Sequence, residues 1–210
     1  MRVIAFNGSP RPDGVTATLL KKALEGAASK GATTEFVHLN SIRMRDCQGC
    51  YSCKLRGGPS YGRCVLKDGM TPLYAKIESA GGILLGSPVY FGSVTALAKL
   101  FIDRLFAYAS YPDHRGVLPR KIRVGLIFTA SAPPALLDLF RPYVQFCDKV
   151  FDNLLGPTEQ MWSADTFGVA DPTKYADSME AQVERKLKHR REAFPVDCQK
   201  AFEMGARFAM

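Results

Sequence analysis

The chain has 210 residues, of which 47% are hydrophobic and 23% are charged, and its formal net charge is +8. These values are typical of one globular domain and argue against a disordered or membrane-embedded chain. No apolar run reaches the ~20 residues of a membrane helix, and residues 1–7 do not resemble a secretory leader. We therefore expect a cytoplasmic protein with no membrane partner. Because the basic residues are spread along the chain, we expect phosphate-bearing ligands and no nucleic acid.

The N-terminal segment predicts a strand, a loop and a helix. Residues 2–7 are mostly apolar and stop at the turn-forming residues 8–14, and apolar residues then recur at helical spacing. Thr16 or Asp13 is expected to cap this helix. The loop is rich in glycine and hydroxyl groups and contains Arg11, so it predicts a site for one terminal phosphate at the helix N-terminus. It lacks the glycine patterns of dinucleotide and triphosphate sites. The alternative is a capped loop in which Arg11 is solvated.

A second strand is predicted at residues 34–39, and residues 41–70 then form an irregular, cysteine-rich insertion. Its cysteines are Cys47, Cys50, Cys53 and Cys64. In a chain without an export sequence, clustered thiols favour metal binding over disulfides. The spacing of the first three is typical of a [4Fe-4S] cluster whose fourth ligand comes from farther along the chain. A zinc site and a metal-free loop remain the alternatives.

Residues 71–80 predict a helix capped by Thr71, and residues 83–86 predict a third strand that is buried on both faces. The next segment, residues 86–93, is bounded by glycines and carries Tyr90 and Phe91. Flat apolar side chains beside exposed amides can hold a planar heteroaromatic ring. The alternative is an ordinary turn whose two aromatic side chains pack into the core.

The second half of the chain continues the alternation of helices and strands. The expected elements are a helix at 94–108, a strand at 123–129, a helix at 136–150 with an irregularity at Pro142, a weak strand near 159–162, and largely helical structure at 172–208 with a break near Phe194. This pattern predicts an α/β fold with a five-stranded parallel sheet and helices on both faces. We expect one domain over residues 1–210.

The strand order decides where a ligand would bind. In the flavodoxin-type order 2-1-3-4-5, the loops after strands one and three meet at one crevice beyond the carboxyl ends of the strands. The phosphate loop and the aromatic loop would therefore lie side by side. Thr129, Ala130 and Ser131, after strand four, would be the next loop along.

Two motifs carry a family resemblance. Phe6-Asn7-Gly8-Ser9-Pro10-Arg11 and Gly86-Ser87-Pro88-Val89-Tyr90-Phe91-Gly92-Ser93 resemble the NADPH-dependent FMN reductase group of flavodoxin-like proteins. The run Cys47-x-x-Cys50-x-x-Cys53, followed by Cys64, resembles the iron-sulfur flavoprotein branch of that group. The resemblance implies FMN, NAD(P)H or a reduced protein as electron donor, and a small molecule or protein as acceptor. It also implies a homodimer or homotetramer.

The resemblance assigns site residues by position in the motifs. The implied FMN-binding residues are Ser9, Arg11, Gly14, Thr16 and Ala17 for the phosphate, Pro88, Val89, Tyr90, Phe91, Gly92 and Ser93 for the ring, and Thr129, Ala130 and Ser131 on its other side. The implied ligands of a [4Fe-4S] cluster are Cys47, Cys50, Cys53 and Cys64. No catalytic side chain is predicted, because a flavin performs the redox chemistry itself.

The remaining charged residues have ordinary interpretations. Residues 186–191 predict a solvated helix face, and Asp103 and Arg104 predict a local or interfacial ion pair.

The function predicted is that of an FMN-dependent oxidoreductase, with the cluster as an optional relay of electrons. The alternatives are a flavin-binding electron carrier without NAD(P)H turnover, and a basic, zinc-containing nucleic-acid or regulatory protein.

Overall fold

The computed structural model describes residues 1–168 and 180–209. Its strands are β1 (Arg2–Asn7), β2 (Thr33–His38), β3 (Gly82–Tyr90), β4 (Ser93–Val94), β5 (Arg123–Thr129) and β6 (Thr158–Ser163). The main sheet is parallel in the order β2-β1-β3-β5-β6, and the short β4 pairs antiparallel with the end of β3. With β4 set aside, this order confirms the flavodoxin-like prediction, including the weakly indicated last strand.

Helices cover both faces of the sheet. They are α1 (Val15–Ser29), α2 (Thr71–Ser79), α3 (Ala96–Leu105), α4 (Arg141–Leu154), α5 (Glu180–Glu192) and α6 (Phe194–Phe208). One core cluster joins α1 and α6 to the sheet, and a second joins α2, α3 and α4 to the opposite face. No helix within the two described ranges is long and apolar enough to cross a membrane.

Two glycines let α1 and α6 cross in direct backbone contact. A Cβ atom at Gly205 would lie 1.7 Å from the Ala23 carbonyl oxygen, and one at Gly26 would lie 1.9 Å from the Phe202 carbonyl oxygen. Any larger residue would force the helices apart. This close crossing fixes α1, and with it the loop that precedes α1, against the sheet.

The register of the sheet brings the candidate loops to one edge. Asn7 at the end of β1 lies opposite Gly86, and Pro88 of β3 lies opposite Thr129 at the end of β5. Because these neighbouring strands are parallel, the segments that follow them leave the sheet on the same side.

Several predicted boundaries need correction. The cap of α1 is Gly14, without a side-chain hydrogen bond, because Thr16 lies inside the helix. Thr71 does not cap α2, since its hydroxyl donates to the Leu66 carbonyl 3.2 Å away. Pro142 marks the start of α4 instead of an irregularity within it. The predicted helical segment 172–208 is confirmed at α5 and α6, and residues 169–179 lie outside the described residues.

Candidate functional site

The loop after β1 is shaped by Asn7, whose side chain is fully buried. Its Oδ1 accepts a hydrogen bond from the Ser9 amide at 3.1 Å, and its Nδ2 donates to the Arg11 carbonyl at 3.0 Å. The Ser9 hydroxyl in turn accepts from the Arg11 amide at 3.2 Å. Asn7 is not among the predicted site residues. The clue was its position before Gly8, because asparagine side chains often hydrogen-bond the backbone two residues on.

The N-terminus of α1 has no cap from a side chain. Gly14, the N-cap residue, makes no side-chain hydrogen bond, and the first turn contains no acidic residue. The first amides of a helix have no acceptor within the helix. Those of Val15, Thr16 and Ala17 therefore form a cradle of donors with a positive helix dipole behind it. This cradle fits a phosphate group.

The hydroxyl of Thr16 does not cap α1 but contacts the end of β5. Thr16 Oγ1 lies 2.8 Å from Thr129 Oγ1, and both residues are buried. This contact ties the start of α1 to the end of β5. It brings two predicted site residues together although they are far apart in the chain.

The aromatic segment after β3 is a hairpin and not a simple strand-to-helix loop. Tyr90 pairs with Ser93, and the turn residues Phe91 and Gly92 have φ angles of 50° and 76°. Positive φ at both central residues is the requirement of a type I′ turn. The side chain of Tyr90 is 50% exposed and that of Phe91 is fully exposed. Neither aromatic residue packs into the core, so the alternative interpretation of this segment as an ordinary turn is wrong.

Buried hydroxyls hold the hairpin against the loop after β1. Thr95 Oγ1 donates to the Gly8 carbonyl at 2.6 Å and also accepts from the Ala98 amide at 3.1 Å. The Ser87 hydroxyl accepts from the Thr95 amide at 3.0 Å. Gly8 is required here, because a Cβ at this position would lie 2.7 Å from the Ala98 Cβ. The two loops are therefore fixed relative to each other without any ligand.

A cleft of about 110 Å³ lies between these segments, and we call it the strand-end cleft. Its lining residues are Ser9, Arg11, Gly14, Val15, Thr16, Pro88, Val89, Tyr90, Thr129, Ser131, Thr166, Phe167 and Gly168. Nine of the fourteen predicted residues are among them. The others, Ala17, Phe91, Gly92, Ser93 and Ala130, belong to the same segments but do not line the cleft.

No sequence motif pointed to the segment that follows β6. Thr166, Phe167 and Gly168 line the cleft, and the Thr166 hydroxyl donates to the Ala130 carbonyl at 3.1 Å. A Cβ at Gly168 would lie 3.4 Å from a guanidinium nitrogen of Arg11. The available clue was the strand order, because the segment after the last strand leaves the same edge of the sheet.

The four clustered cysteines do not form a metal site in this arrangement. Cys47 and Cys50 are exposed, whereas Cys53 and Cys64 are half-buried and pack against the core. Within residues 1–168 and 180–209, no three histidine, cysteine or acidic side chains are grouped closely enough to hold a metal ion. The thiols as placed therefore do not fit a [4Fe-4S] cluster or a zinc ion.

Arg104 joins both ends of the cysteine-rich insertion to α3. It is 1% exposed, and its guanidinium lies 2.6 Å from Asp68 Oδ2 and donates to the Arg45 carbonyl at 2.7 Å.

The expected pair between Asp103 and Arg104 is wrong, because adjacent helical residues point in different directions. Asp103 instead pairs with Lys99 at 2.5 Å.

The Asp68 carboxylate is held in its charged form. Burial by itself raises its pKa, but hydrogen bonds from Arg104 and from the Arg45 and Met70 amides outweigh burial, so the pKa of Asp68 is lowered. A second anchor is Lys54, which is buried and donates to the carbonyls of Phe106 and Ala109. Arg104 and Lys54 thus anchor the insertion through buried charged groups, at its ends and near its centre.

The segment 186–191 is only partly a solvated face. Lys186 is 2% exposed, and its Nζ donates to the Ser131 hydroxyl at 2.8 Å and to the Thr166 carbonyl at 3.2 Å. Burial lowers the pKa of Lys186, although the nearby Asp165 opposes this effect. Lys186 therefore connects α5 to the loop after β5.

Comparison with solved structures gives the fold. An NAD(P)H:quinone oxidoreductase from Methanothermobacter marburgensis superimposes with a TM-score of 0.71 at 15% identity, covering 98% of both chains. An FMN-dependent NADH-azoreductase from Bacillus anthracis, solved with FMN, superimposes with a TM-score of 0.65 at 13% identity, covering 100% of both chains. At these identities the likeness establishes the architecture alone.

Sequence comparison gives the family. An iron-sulfur flavoprotein of Methanocaldococcus jannaschii is 42% identical over 104 residues, which is 50% of this chain and 51% of the relative. An iron-sulfur flavoprotein of Archaeoglobus fulgidus is 35% identical over 116 residues, which is 55% of this chain and 50% of the relative. The chain thus spans about half the length of these curated relatives. The family model described as NADPH-dependent FMN reductase matches residues 1–133, and the chain belongs to that family.

Proposed function

We propose that this protein is an FMN-dependent oxidoreductase that takes electrons from NAD(P)H or a reduced protein and passes them to a small-molecule or protein acceptor. The observation that carries the proposal is the convergence of the uncapped α1 N-terminus, the β3–β4 hairpin and the loop after β5 on the strand-end cleft. Family membership supports it as well. The proposal treats residues 1–210 as one flavin-binding domain, since the six described strands lie in one sheet.

The proposed roles of the residues follow from their positions. The amides of Val15, Thr16 and Ala17 would bind the phosphate, and the Arg11 guanidinium would add charge beside it. Pro88, Val89 and Tyr90 would support one edge of the ring, and Thr129 to Ser131 would face it from the next loop. When bound, FMN supplies the chemistry of accepting electrons from a donor and delivering them to an acceptor.

The protein's contribution is to bind and orient. No carboxylate lines the strand-end cleft among the residues the structure describes, so the cleft does not repel an anionic phosphate. The buried contacts of Ser87 and Thr95 keep the hairpin in place before a ligand arrives, which lowers the entropic cost of binding. The exposed Tyr90 and Phe91 leave the ring's neighbourhood open to a second molecule, as an electron donor or acceptor requires.

The cluster is a separate part of the proposal. The cysteine spacing supports a [4Fe-4S] cluster on Cys47, Cys50, Cys53 and Cys64. The names of the relatives, iron-sulfur flavoproteins, support an iron-sulfur centre without specifying its type. Since the described thiols do not converge, the insertion between its anchors would have to rearrange when iron and sulfide are loaded. Iron and sulfide analysis after anaerobic purification tests this part, and a protein free of both after anaerobic reconstitution would rule it out.

We also propose self-association. Phe91, Leu139 and Phe146 are large apolar side chains that are more than half exposed. A Cβ at Gly92 would lie 3.5 Å from the Phe140 ring, so the segment before α4 lies beside the hairpin. A second copy that covers this surface would shield apolar area next to the cleft. Light scattering on the purified protein should give the mass of a dimer or tetramer, and a monomer at micromolar concentration would contradict this.

Titration of the flavin-free protein with FMN, followed by an assay of NAD(P)H oxidation with a quinone acceptor, tests the main proposal. We expect stoichiometric binding and turnover, with FMN affinity reduced about 10-fold or more in Arg11→Ala because one charge-assisted contact is lost. Arg56→Ala, at an exposed position in the insertion, should bind like wild type. Absence of FMN binding would refute the proposal. Binding without NAD(P)H turnover would instead identify an electron carrier.

A further inference from the structure

A second cavity of about 370 Å³ lies beside the strand-end cleft, and we call it the side cavity. The two share a wall made of Arg11, Gly14, Val15, Thr166, Phe167 and Gly168. The rest of the side cavity is formed by the first turn of α1, by α5 and by the start of α6. Its volume is in the range of small-molecule sites. None of the roles proposed above uses this space.

The side cavity joins the cleft at the phosphate end. Arg11, Gly14 and Val15 belong to the segment that presents the free amides of α1, and all three face both cavities. The hairpin residues Pro88, Val89 and Tyr90 line only the cleft. A ligand with its ring against the hairpin and its phosphate at α1 would therefore have the side cavity directly beyond its phosphate.

The charge of the side cavity favours an anion. Arg11, Lys186, His189 and Arg190 line it, opposed by Asp13 and Asp165. Both carboxylates already have partners, since Asp165 accepts two hydrogen bonds from Arg185, at 2.7 and 2.9 Å, and Asp13 pairs with Lys21 at 3.2 Å. Among the described residues, the guanidinium groups of Arg11 and Arg190 have no ion-pair partner. Arg11, which the proposed function places beside the flavin phosphate, lines both cavities, and Arg190 lines only the side cavity. Together they suit a second phosphate joined to the first, because guanidinium groups bind phosphate through paired hydrogen bonds.

The apolar part of the side cavity suits a flat base. Phe167 and Phe194 line it together with Val15 and Pro12. Aromatic and aliphatic walls combined with a few polar groups are typical of sites for planar heteroaromatic ligands. Lys186 fixes the α5 side of the cavity, because its Nζ bonds to both Ser131 and Thr166. The cavity therefore offers an apolar surface beside a cationic wall, with Lys186 joining α5 to the loops after β5 and β6.

From this geometry we infer that the side cavity binds an adenylate group that is joined to the flavin phosphate, so that the chain accepts FAD as well as FMN. The riboflavin phosphate would lie in the strand-end cleft, the second phosphate near Arg11 and Arg190, and the adenine against Phe167 and Phe194. This inference rests on the proposed flavin function. It differs from an adenine site for NAD(P)H, whose nucleotide is not attached to the flavin phosphate.

The test compares FMN and FAD binding to flavin-free protein by quenching of flavin fluorescence. We expect wild type to bind FAD about tenfold more tightly than FMN, which corresponds to one additional charge-assisted contact. Arg190→Ala should remove this advantage and leave FMN affinity within about twofold of wild type. Arg191→Ala is the matched control, since Arg191 is exposed on the same helix and does not line the cavity. It should retain the preference for FAD.

The outcomes separate this inference from the proposed function. If FMN itself does not bind, the proposed function fails. If FMN binds but FAD binds equally or more weakly, or if Arg190→Ala weakens both flavins alike, the assignment of the side cavity is overturned. A further experiment is to titrate the FMN-loaded protein with AMP. Suppose that wild type binds AMP, that Arg190→Ala abolishes this binding, and that wild type shows no preference for FAD over FMN. The side cavity would then be a site for a separate nucleotide, and the assignment would also be overturned.

Discussion

The strand-end cleft and the cysteine-rich insertion are held in different ways. Around the cleft, the buried polar groups of Asn7, Ser87 and Thr95 bond to the backbone of neighbouring loops, so the geometry is specified at many points. The insertion is attached through Arg104 at its ends and through Lys54 near its centre. Because the two regions have separate buried anchors, we expect the proposed flavin site and the insertion to respond independently to substitution. The predictions below test that independence.

The largest effect is expected from Arg104→Met. It leaves the Asp68 carboxylate buried without its partner, and breaking such a pair typically costs about 3–5 kcal/mol of unfolding free energy. Urea denaturation followed by circular dichroism measures the loss. Arg56→Met, at an exposed position in the insertion, should change stability by less than about 0.5 kcal/mol. Equal effects of the two substitutions would show that the buried pair does not anchor the insertion.

Asn7→Ala should destabilise the protein by about 1–3 kcal/mol, because the buried Ser9 amide and the partly buried Arg11 carbonyl lose their partner. The same substitution should weaken FMN binding, since those groups shape the phosphate loop. Asn40→Ala, at an exposed position after β2, is the matched control and should leave both quantities unchanged. A variant with normal FMN affinity and reduced stability would limit Asn7 to a structural role.

The hairpin depends on positive φ at Gly92. Gly92→Val should cost about 1–2 kcal/mol, because a β-branched residue is strained in the left-handed region. Gly92→Asn tolerates that region and should keep most of the stability. Both variants should be compared by thermal denaturation and by FMN binding. A Val variant as stable as the Asn variant would argue against the type I′ turn.

Lys54→Met should loosen the insertion without disturbing the cleft. The carbonyls of Phe106 and Ala109 lose a charged donor, so amide hydrogen exchange in residues 45–66 should become faster. FMN affinity should stay within about twofold of wild type if the two regions are independent. The exposed Lys67 of the same insertion provides the control Lys67→Met. A large loss of FMN affinity in Lys54→Met would show that the anchors are coupled.

The smallest effect on stability is expected from lowering the pH. Because the pKa of Asp68 is lowered in the folded protein, its contribution to stability is full above its unfolded pKa of about 3.9 and is lost as the pH falls through the folded value. The stability difference between wild type and Asp68→Asn should therefore be constant from pH 7 to about pH 5 and shrink below about pH 4. Urea midpoints measured at each pH test this. A difference that persists unchanged at pH 3 would contradict the lowered pKa.

The parts of the site that the sequence predicted are those encoded locally. The phosphate loop follows from a strand, a glycine-rich turn and a helix within residues 2–29, and the hairpin region follows from the glycines and aromatics of residues 86–93. The segment Thr166 to Gly168 was missed because its role comes from strand order and not from its own composition. The burial of Lys186 was missed for a similar reason, since its acceptors Ser131 and Thr166 are distant in the chain.

By itself, the sequence determined the alternation of strands and helices, the parallel sheet order and the identity of the two loops at its edge. These depend on hydrophobic periodicity and on turn residues, which act over short stretches of chain. Only the tertiary structure decided that Thr16 meets Thr129 and that Arg104 pairs with Asp68 instead of Asp103. It also decided that, among the described residues, the clustered thiols are not grouped closely enough to hold a metal ion. A buried charge or hydroxyl without a hydrogen-bond partner costs free energy, so it pairs with a polar group that the fold brings next to it. That group is often distant in the chain, and the local sequence does not identify it.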